Sequence, residues 1–308
     1  MAVRQAILDD TRAICHLFIA SIDRWQRMTA DGQVEDVTYD DLSIYDRWLH
    51  GGAWMSVETG ALWLSHLASG KGLALVHHDQ KSITGYAEAT ISQEAAPYGK
   101  HLHINALIGT SDDIRTALLM QLIREAQKIG KISVSSALYD APKLAFYRGF
   151  EFNNLIQVQR VHVRAQGASV GFYKVTEHHN TDANQINGWQ MPLGRMESAR
   201  YHWEVLWAQL WHAVPELQAH RIHRLQFNAG GQDAFIVVQE QLYNPRNAEI
   251  FCWTPKALTA NLIGAIRDWT YKTGYRTLTM AVDENVAKIF DANLETTAYQ
   301  TVTLVRSL

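Results

Sequence analysis

Cysteine is nearly missing from this chain: Cys15 and Cys252 are the two in 308 residues, one in each half. They form neither a C-x-x-C pair nor a disulfide framework, so each reads as a small buried hydrophobe in a reducing compartment. Long apolar runs are missing too. None approaches the roughly 18 residues that a membrane span needs, and the opening MAVRQAILDD brings in charge at once, with no apolar signal core. A cytoplasmic protein with no membrane partner is the expectation. Charge is sparse: charged residues are 19% of the chain and sum to -3 at pH 7, which supplies neither a basic stripe for nucleic acid nor the composition of long disordered tails. The sequence also lacks a kinase-type glycine loop, a serine elbow and a zinc signature. The histidine pairs His77-His78 and His178-His179 diverge in an extended chain and complete no four-ligand set, so no metal is expected.

What is present is core material. Hydrophobic residues make up 47% of the chain, and the length fits two domains of about 150 residues. Alternation predicts strands at Ala2–Ile7, Leu73–His77, Ile83–Gln93, Leu102–Ile108, Ile132–Leu138 and Phe152–Arg164. Helical spacing predicts a helix after Asp9-Asp10-Thr11, others near Leu42–Leu49 and Val57–Ala68, and one carrying Ile114, Leu118, Leu119, Leu122, Ile123 and Ala126, closed by Gly130. Asp112 and Asp113 suit the cap of that last helix, and Asp140 that of a short helix from Ala141 to Tyr147. The polar stretch Thr29–Val37 reads as a loop.

After a break between Gln166 and Gly171 the order repeats: strands at Phe172–His178, Arg221–Asn228, Ala234–Tyr243, Ala248–Trp253, Arg276–Val282 and Tyr299–Val305, and a helical stripe on Leu258, Leu262, Ile263, Ile266 and Trp269. Ala199–Val214 reads as one helical region, with Trp203, Trp207 and Trp211 on a single face that packs in the core or between domains. The units Ile114–Phe150 and Leu258–Leu294 match in element order and spacing, the mark of a duplication. The expected fold is α/β with a mixed sheet, in two domains, 1–166 and 171–308.

The segment TALLMQLIREAQKIGKISVSSALYDAPKLAFYRGFEF resembles the Gcn5-related N-acetyltransferase (GNAT) family, through Ala117-Leu118-Leu119, Ala126, Gly130, the strand Ile132–Leu138 and Gly149-Phe150. The opening VRQAILDDTRAICHL is similar to the family's first strand and helix, and the second half matches in element order with few motif residues. The resemblance implies two tandem acyl-CoA N-acyltransferase-like domains, acetyl-CoA or another acyl-CoA as co-substrate, and transfer of an acetyl group to a primary amine of a small molecule or peptide, with a homodimer as one possible assembly. It implies that two adjacent strands splay, that the pantetheine arm bonds to the open edge of one, and that the diphosphate rests on backbone N–H groups at the next helix start. Here those positions are Leu107, Ile108, Gly109, Asp113, Ile114, Arg115 and Thr116.

The family's inner glycines are absent from Gly109-Thr110-Ser111-Asp112-Asp113, and the two aspartates bring negative charge toward a diphosphate. Trp253-Thr254-Pro255-Lys256 in the second half lacks them as well, and Leu294-Glu295 stands in place of Gly-Phe, so the second half is expected to shape substrate or serve structure. Glu88, midway along its strand, is a candidate to hold or deprotonate an amine, and His103, deeper than His101, a candidate proton shuttle. Tyr147 is a candidate thiolate-protonating tyrosine, although the family's usual position falls on Ala145; Tyr139 is a second candidate. A non-catalytic ligand sensor or assembly module on the same fold is the alternative.

Overall fold

Period-2 alternation in both halves builds a sheet that does not stop at the half boundary. The structure, a computed structural model, describes residues 2–29, 31–79, 82–167, 171–218, 221–241 and 243–308. The expected break after Gln166 therefore falls partly outside the described residues, as do Gln80 and Lys81 of the first polar turn.

The first half opens with β1 (Ala2–Gln5) and α1 (Thr11–Ile19). Where a polar loop is expected, the chain instead pairs β2 (Gln26–Met28) with β3 (Val34–Asp36) in a small separate hairpin. Arg24 and Arg27 across from Asp36 and Glu35 hold it by ion pairs rather than apolar alternation, which is why periodicity does not reveal it. Next come α2 (Ile44–Gly51), α3 (Val57–His66), the meander β4 (Leu73–His78), β5 (Ile83–Gln93) and β6 (Lys100–Gly109), and then α4 (Asp112–Ala126), β7 (Lys131–Ala137), α5 (Ala141–Gly149) and β8 (Asn153–Arg164).

The second half runs β9 (Tyr173–Glu177), β10 (Gln190–Leu193), α6 (Ala199–Leu206), β11 (Ile222–Ala229), β12 (Gln232–Gln241), β13 (Asn244–Thr254), α7 (Ala260–Thr273), β14 (Thr277–Val282), α8 (Glu284–Ala287) and β15 (Leu294–Ser307). Helix α6 is shorter than the expected region: Ala208 turns extended, with ψ 134°. Trp203 and Trp207 stack at 4.4 Å in the second half's interior, whereas Trp211 packs on Trp63 and Trp48 of the first half. The three indoles thus share no single helical face.

Among the described residues thirteen strands form one sheet, in the order β1-β4-β5-β6-β7-β15-β8-β14-β13-β12-β11-β9, with β10 attached to β13. The final strand of each half lies against the other half. β8 pairs antiparallel with β14, and β15 inserts between β7 and β8. Val302 and Leu304 of β15 thereby enter the first half's core with Leu118, Leu122 and Val134. Burying each such side chain stabilises by about 1.5–3 kcal/mol, so the exchange ties the halves together. Each half also contains one parallel pair, β6 with β7 and β13 with β14, joined in both cases through a helix. No helix among the described residues is long and apolar enough to cross a membrane.

Candidate functional site

The two parallel pairs part company early. β6 and β7 are in register at Leu102 with Ile132, His103 with Ser133 and Ile104 with Val134, and no further. Divergence begins where β6 carries an extra residue: Glu88 of β5 faces Ala106, Ala89 faces Ile104, and Asn105 bulges between them. A bulge bends its strand and increases local twist, which re-aims the rest of β6 away from β7. Burial follows this geometry, since residues 101–104 are buried and residues 105–109 half-buried. Asn105 lies at the fork with both side-chain amide atoms enclosed and unpartnered. Among the described residues no strand pairs with the edge of β6 from Asn105 to Gly109 on the β7 side, the opening that the sequence resemblance implies at Leu107, Ile108 and Gly109.

At the far end of this edge the chain enters α4 through Thr110 and Ser111 alone. A Cβ on Gly109 would stand 2.9 Å from Ile114 Cγ2, 3.0 Å from Arg115 Cγ and 3.2 Å from Arg115 N, so this glycine lets the helix start sit on the strand end. The Thr110 N–H is spent on the Thr84 carbonyl at 3.0 Å. Neither aspartate caps the helix: Ser111 is the N-cap, its Oγ accepting from Ile114 N at 3.4 Å. Asp112 is exposed and ion-paired with Arg115, and Asp113 is exposed too. Neither carboxylate lies inside the fork. Both still stand beside the free N–H groups of the first turn, where a diphosphate would meet their repulsion. Ile114 and Thr116 are half-buried, and the Arg115 guanidinium lies 5.4 Å from the Phe146 ring centre. The open strand edge fits a pantetheine arm; the helix start fits a diphosphate poorly.

At the closed end of the fork His103 is fully enclosed. Its Nδ1 lies 2.8 Å from Ser133 Oγ, and its Nε2 lies 2.6 Å from Oε2 of Glu197, a residue of the second half's β10–α6 loop. Burial pulls the imidazole down to about 3 and pushes the Glu197 carboxyl up to about 8, with Lys143 and Arg195 partly opposing the latter rise. One arrangement satisfies both shifts: a neutral imidazole donating from Nδ1 to Ser133, and a protonated Glu197 donating to the Nε2 lone pair. The Glu197 side chain is 28% exposed, so the pair reaches solvent through its carboxyl. His202 fixes the loop by accepting the Met196 and Glu197 N–H groups on Nε2, at 3.1 and 3.0 Å, as a neutral ring does. The sequence marks this loop only by Ser198, the N-cap of α6. Neither Glu197 nor its loop stands out by periodicity.

The remaining sequence-level candidates lie away from the open edge of β6, three of them buried and one on the surface. Glu88 is 2% exposed rather than on a half-open face, and its Oε2 accepts from Trp54 Nε1 (3.0 Å), Trp63 Nε1 (2.9 Å) and the Tyr86 hydroxyl (2.9 Å). Burial raises its pKa against these three donors. This carboxyl pins the α3 region to the sheet through the Trp54 and Trp63 indoles, with Tyr86 of its own strand as the third donor. Tyr147 is 2% exposed between Phe146 and Phe152 in the first half's core, where burial pushes its phenol up; Tyr139 is 75% exposed. His101, on the same face as His103, is buried near Glu94 and lowered to about 4 by burial.

The second half has the same fork. β13 and β14 pair at residues 247–249 with 277–279 and then separate. Here the chain closes its own opening. Gln190 and Leu193 of β10 pair antiparallel with Thr254 and Cys252, and Gly194 N donates to the Ala281 carbonyl at 2.9 Å, bridging the fork. Gly194 has φ +80°, and a Cβ there would fall 2.4 Å from the Ile250 carbonyl oxygen, so only glycine passes between the strands. Main-chain bonds that an incoming arm would need are already made. Among the described residues no group of three His, Cys, Asp or Glu side chains is placed to hold a metal ion.

Solved structures share this architecture along the whole chain. A GCN5-related N-acetyltransferase from Anabaena variabilis superposes with a TM-score of 0.64 at 10% identity, covering 99% of this chain and 72% of that one. Another from Kribbella flavida gives 0.57 at 10% identity, covering 99% and 71%. A tandem GNAT protein from the clavulanic acid biosynthesis pathway gives 0.51 at 11% identity, covering 99% and 98%. No family model matches the chain, and no curated protein matches it in sequence. The structural likeness gives the fold: two acyl-CoA N-acyltransferase-like units in tandem, as the sequence resemblance implied.

Proposed function

We propose that this protein transfers an acetyl group from acetyl-CoA to a primary amine, using the fork of its first half alone. The observation that carries this reading is the unpaired edge of β6 from Asn105 to Gly109, which opens beside the Glu197–His103 pair. Acetyl-CoA supplies the thioester; the chain supplies the edge and the acid–base pair. Glu197, as carboxylate, accepts the amine proton as the N–C bond forms and the C–S bond breaks, and that proton returns to the departing thiolate. His103 acts behind it: its Nε2 accepts from the carboxyl while Glu197 holds its proton, and once Glu197 is a carboxylate the neutral ring donates from Nε2 and accepts from the Ser133 hydroxyl on Nδ1. Tyr147, enclosed in the core, has no part in this sequence.

The reading makes weak donor affinity an expected property, because Asp112 and Asp113 oppose a diphosphate at the start of α4. Thiol release from acetyl-CoA with a panel of primary amines tests it, run on the wild type and on Asp112→Asn/Asp113→Asn. Removing both charges is expected to lower KM for acetyl-CoA about tenfold, with kcat little changed. Absence of thiol release from both proteins, together with absence of acetyl-CoA binding at millimolar concentration, overturns the proposal. The second reading, a non-catalytic sensor, is favoured by the closure of the second fork by β10; it is the outcome if the donor binds and no amine is acetylated.

A further inference from the structure

Away from the fork, near the start of β6, the two halves leave a second opening. The pairing of β4 with β5 reaches Leu73 opposite Ala89, and β5 continues past it to Gln93. A cavity of about 470 Å³ lies at this overhang, within the roughly 300–1,000 Å³ of small-molecule sites. Apolar side chains line it from the sheet, Leu73, Ile91 and Leu102, and from Ile129 beyond α4. Four cations share the lining: Lys71, Lys100 and Lys128 of the first half, and Arg200 in the first turn of α6. The Arg200 side chain is 18% exposed, and its Nε donates to Glu204 Oε1 at 2.6 Å. Glu204 is buried, and its other oxygen lies 3.0 Å from His66 Nε2. The two terminal nitrogens of Arg200 have no partner in the chain and are not enclosed. Lys128 stands 3.8 Å from Glu125, whereas Lys71 and Lys100 have no ion-pair partner among the described residues. Glu125 and Glu204 thus offset two of the four cations and leave a positive excess at Lys71 and Lys100.

We propose that this cavity binds a small phosphate monoester, its phosphoryl oxygens on the free Arg200 nitrogens and the Lys71 and Lys100 ammonium groups, and its organic part on Leu73, Ile91 and Ile129. A guanidinium offers phosphate two N–H groups at once, and each lysine adds a point charge. A phosphate monoester carries about -1.5 to -2 charges at pH 7, which matches the excess; a monoanion leaves part of it unmet. Inorganic phosphate satisfies the charge but leaves the apolar lining uncovered, so both parts of the ligand contribute. The cavity draws on β4, β5 and β6 of the first half and on α6 of the second. It meets β6 at Lys100 and Leu102, not along the edge at 105–109, so its occupation is measured without acetyl-CoA.

Calorimetric titration at fixed ionic strength with phenyl phosphate, inorganic phosphate and benzenesulfonate tests the assignment. Phenyl phosphate is expected to bind saturably, about tenfold or more tightly than either of the others. Lys71→Ala/Lys100→Ala removes the unpaired charges and leaves the Arg200–Glu204 pair intact. Ile91→Glu places a carboxylate in the lining at a position that is 52% exposed, where the fold tolerates it. Each variant is expected to weaken phenyl phosphate about tenfold or more. Absence of heat with phenyl phosphate, equal affinity for all three probes, or unchanged phenyl phosphate affinity in whichever variant keeps the wild-type melting profile overturns the proposal.

Discussion

Glu197→Gln isolates the proton on which the proposed chemistry rests. A glutamate carboxyl ordinarily titrates near 4.5, and burial moves that of Glu197 to about 8. Between those values the folded protein keeps a proton that the unfolded chain has released, so stability falls as pH rises, by about 1.4 kcal/mol per unit while the difference lasts. From about pH 6 to about pH 8.5 this integrates to about 2.5 kcal/mol, and with the side chain 28% exposed, screening brings the expected loss to about 2 kcal/mol. The depressed histidines act with the opposite sign. His101 at about 4, and His103 and His202 at about 3, add stability as pH rises toward their unfolded value of 6.5, and all three are present in both proteins. The difference between wild type and variant therefore reports Glu197. Denaturant unfolding across this range should show the wild type losing about 2 kcal/mol relative to the variant, and wild-type turnover should climb to a plateau above about pH 8. A stability gap that does not change with pH would refute the assigned proton, whatever the variant's activity.

Other consequences follow from particular contacts. Gly194→Ala places a methyl against the Ile250 carbonyl at a backbone φ of +80°, and should cost about 2–4 kcal/mol in thermal or chemical unfolding; an unchanged midpoint would mean that β10 does not pass between the strands as described. Glu88→Gln keeps one acceptor but gives the Trp54, Trp63 and Tyr86 donors a neutral partner, and should cost about 1–3 kcal/mol with a change in tryptophan emission. Its turnover per folded molecule should stay within a few-fold of the wild type; a collapse of turnover at unchanged stability would give Glu88 a direct role instead.

The sequence made legible what local periodicity controls. β5 spans the expected Ile83–Gln93, α4 carries the expected apolar stripe, and the helix–strand–helix units after β6 and β13 repeat as the spacing indicates. Features set by long-range packing were not legible. β10 is four residues long, contains Pro192, and is a strand only because the fork of β13 and β14 offers unpaired groups. The interleaving of β8 and β15 depends on contacts more than a hundred residues apart and leaves no mark on either strand's alternation. The same holds for the site. His103 was identifiable as a titratable group on a strand face, but its partner Glu197 lies 94 positions away in a loop with no period. Glu88 looked available because strand alternation does not tell a solvated face from one covered by indoles. The cap expected at Asp112 or Asp113 falls instead on Ser111, one residue earlier, whose extended backbone brings its oxygen to the Ile114 N–H.

Hydrogen–deuterium exchange with and without acetyl-CoA tests most directly whether the edge of β6 receives the donor. Protection is expected on the peptide covering 105–109, with none gained at 250–254, where β10 already lies. Unaltered exchange at 105–109 under saturating acetyl-CoA, or protection gained at 250–254 instead, would contradict a donor site in the first half.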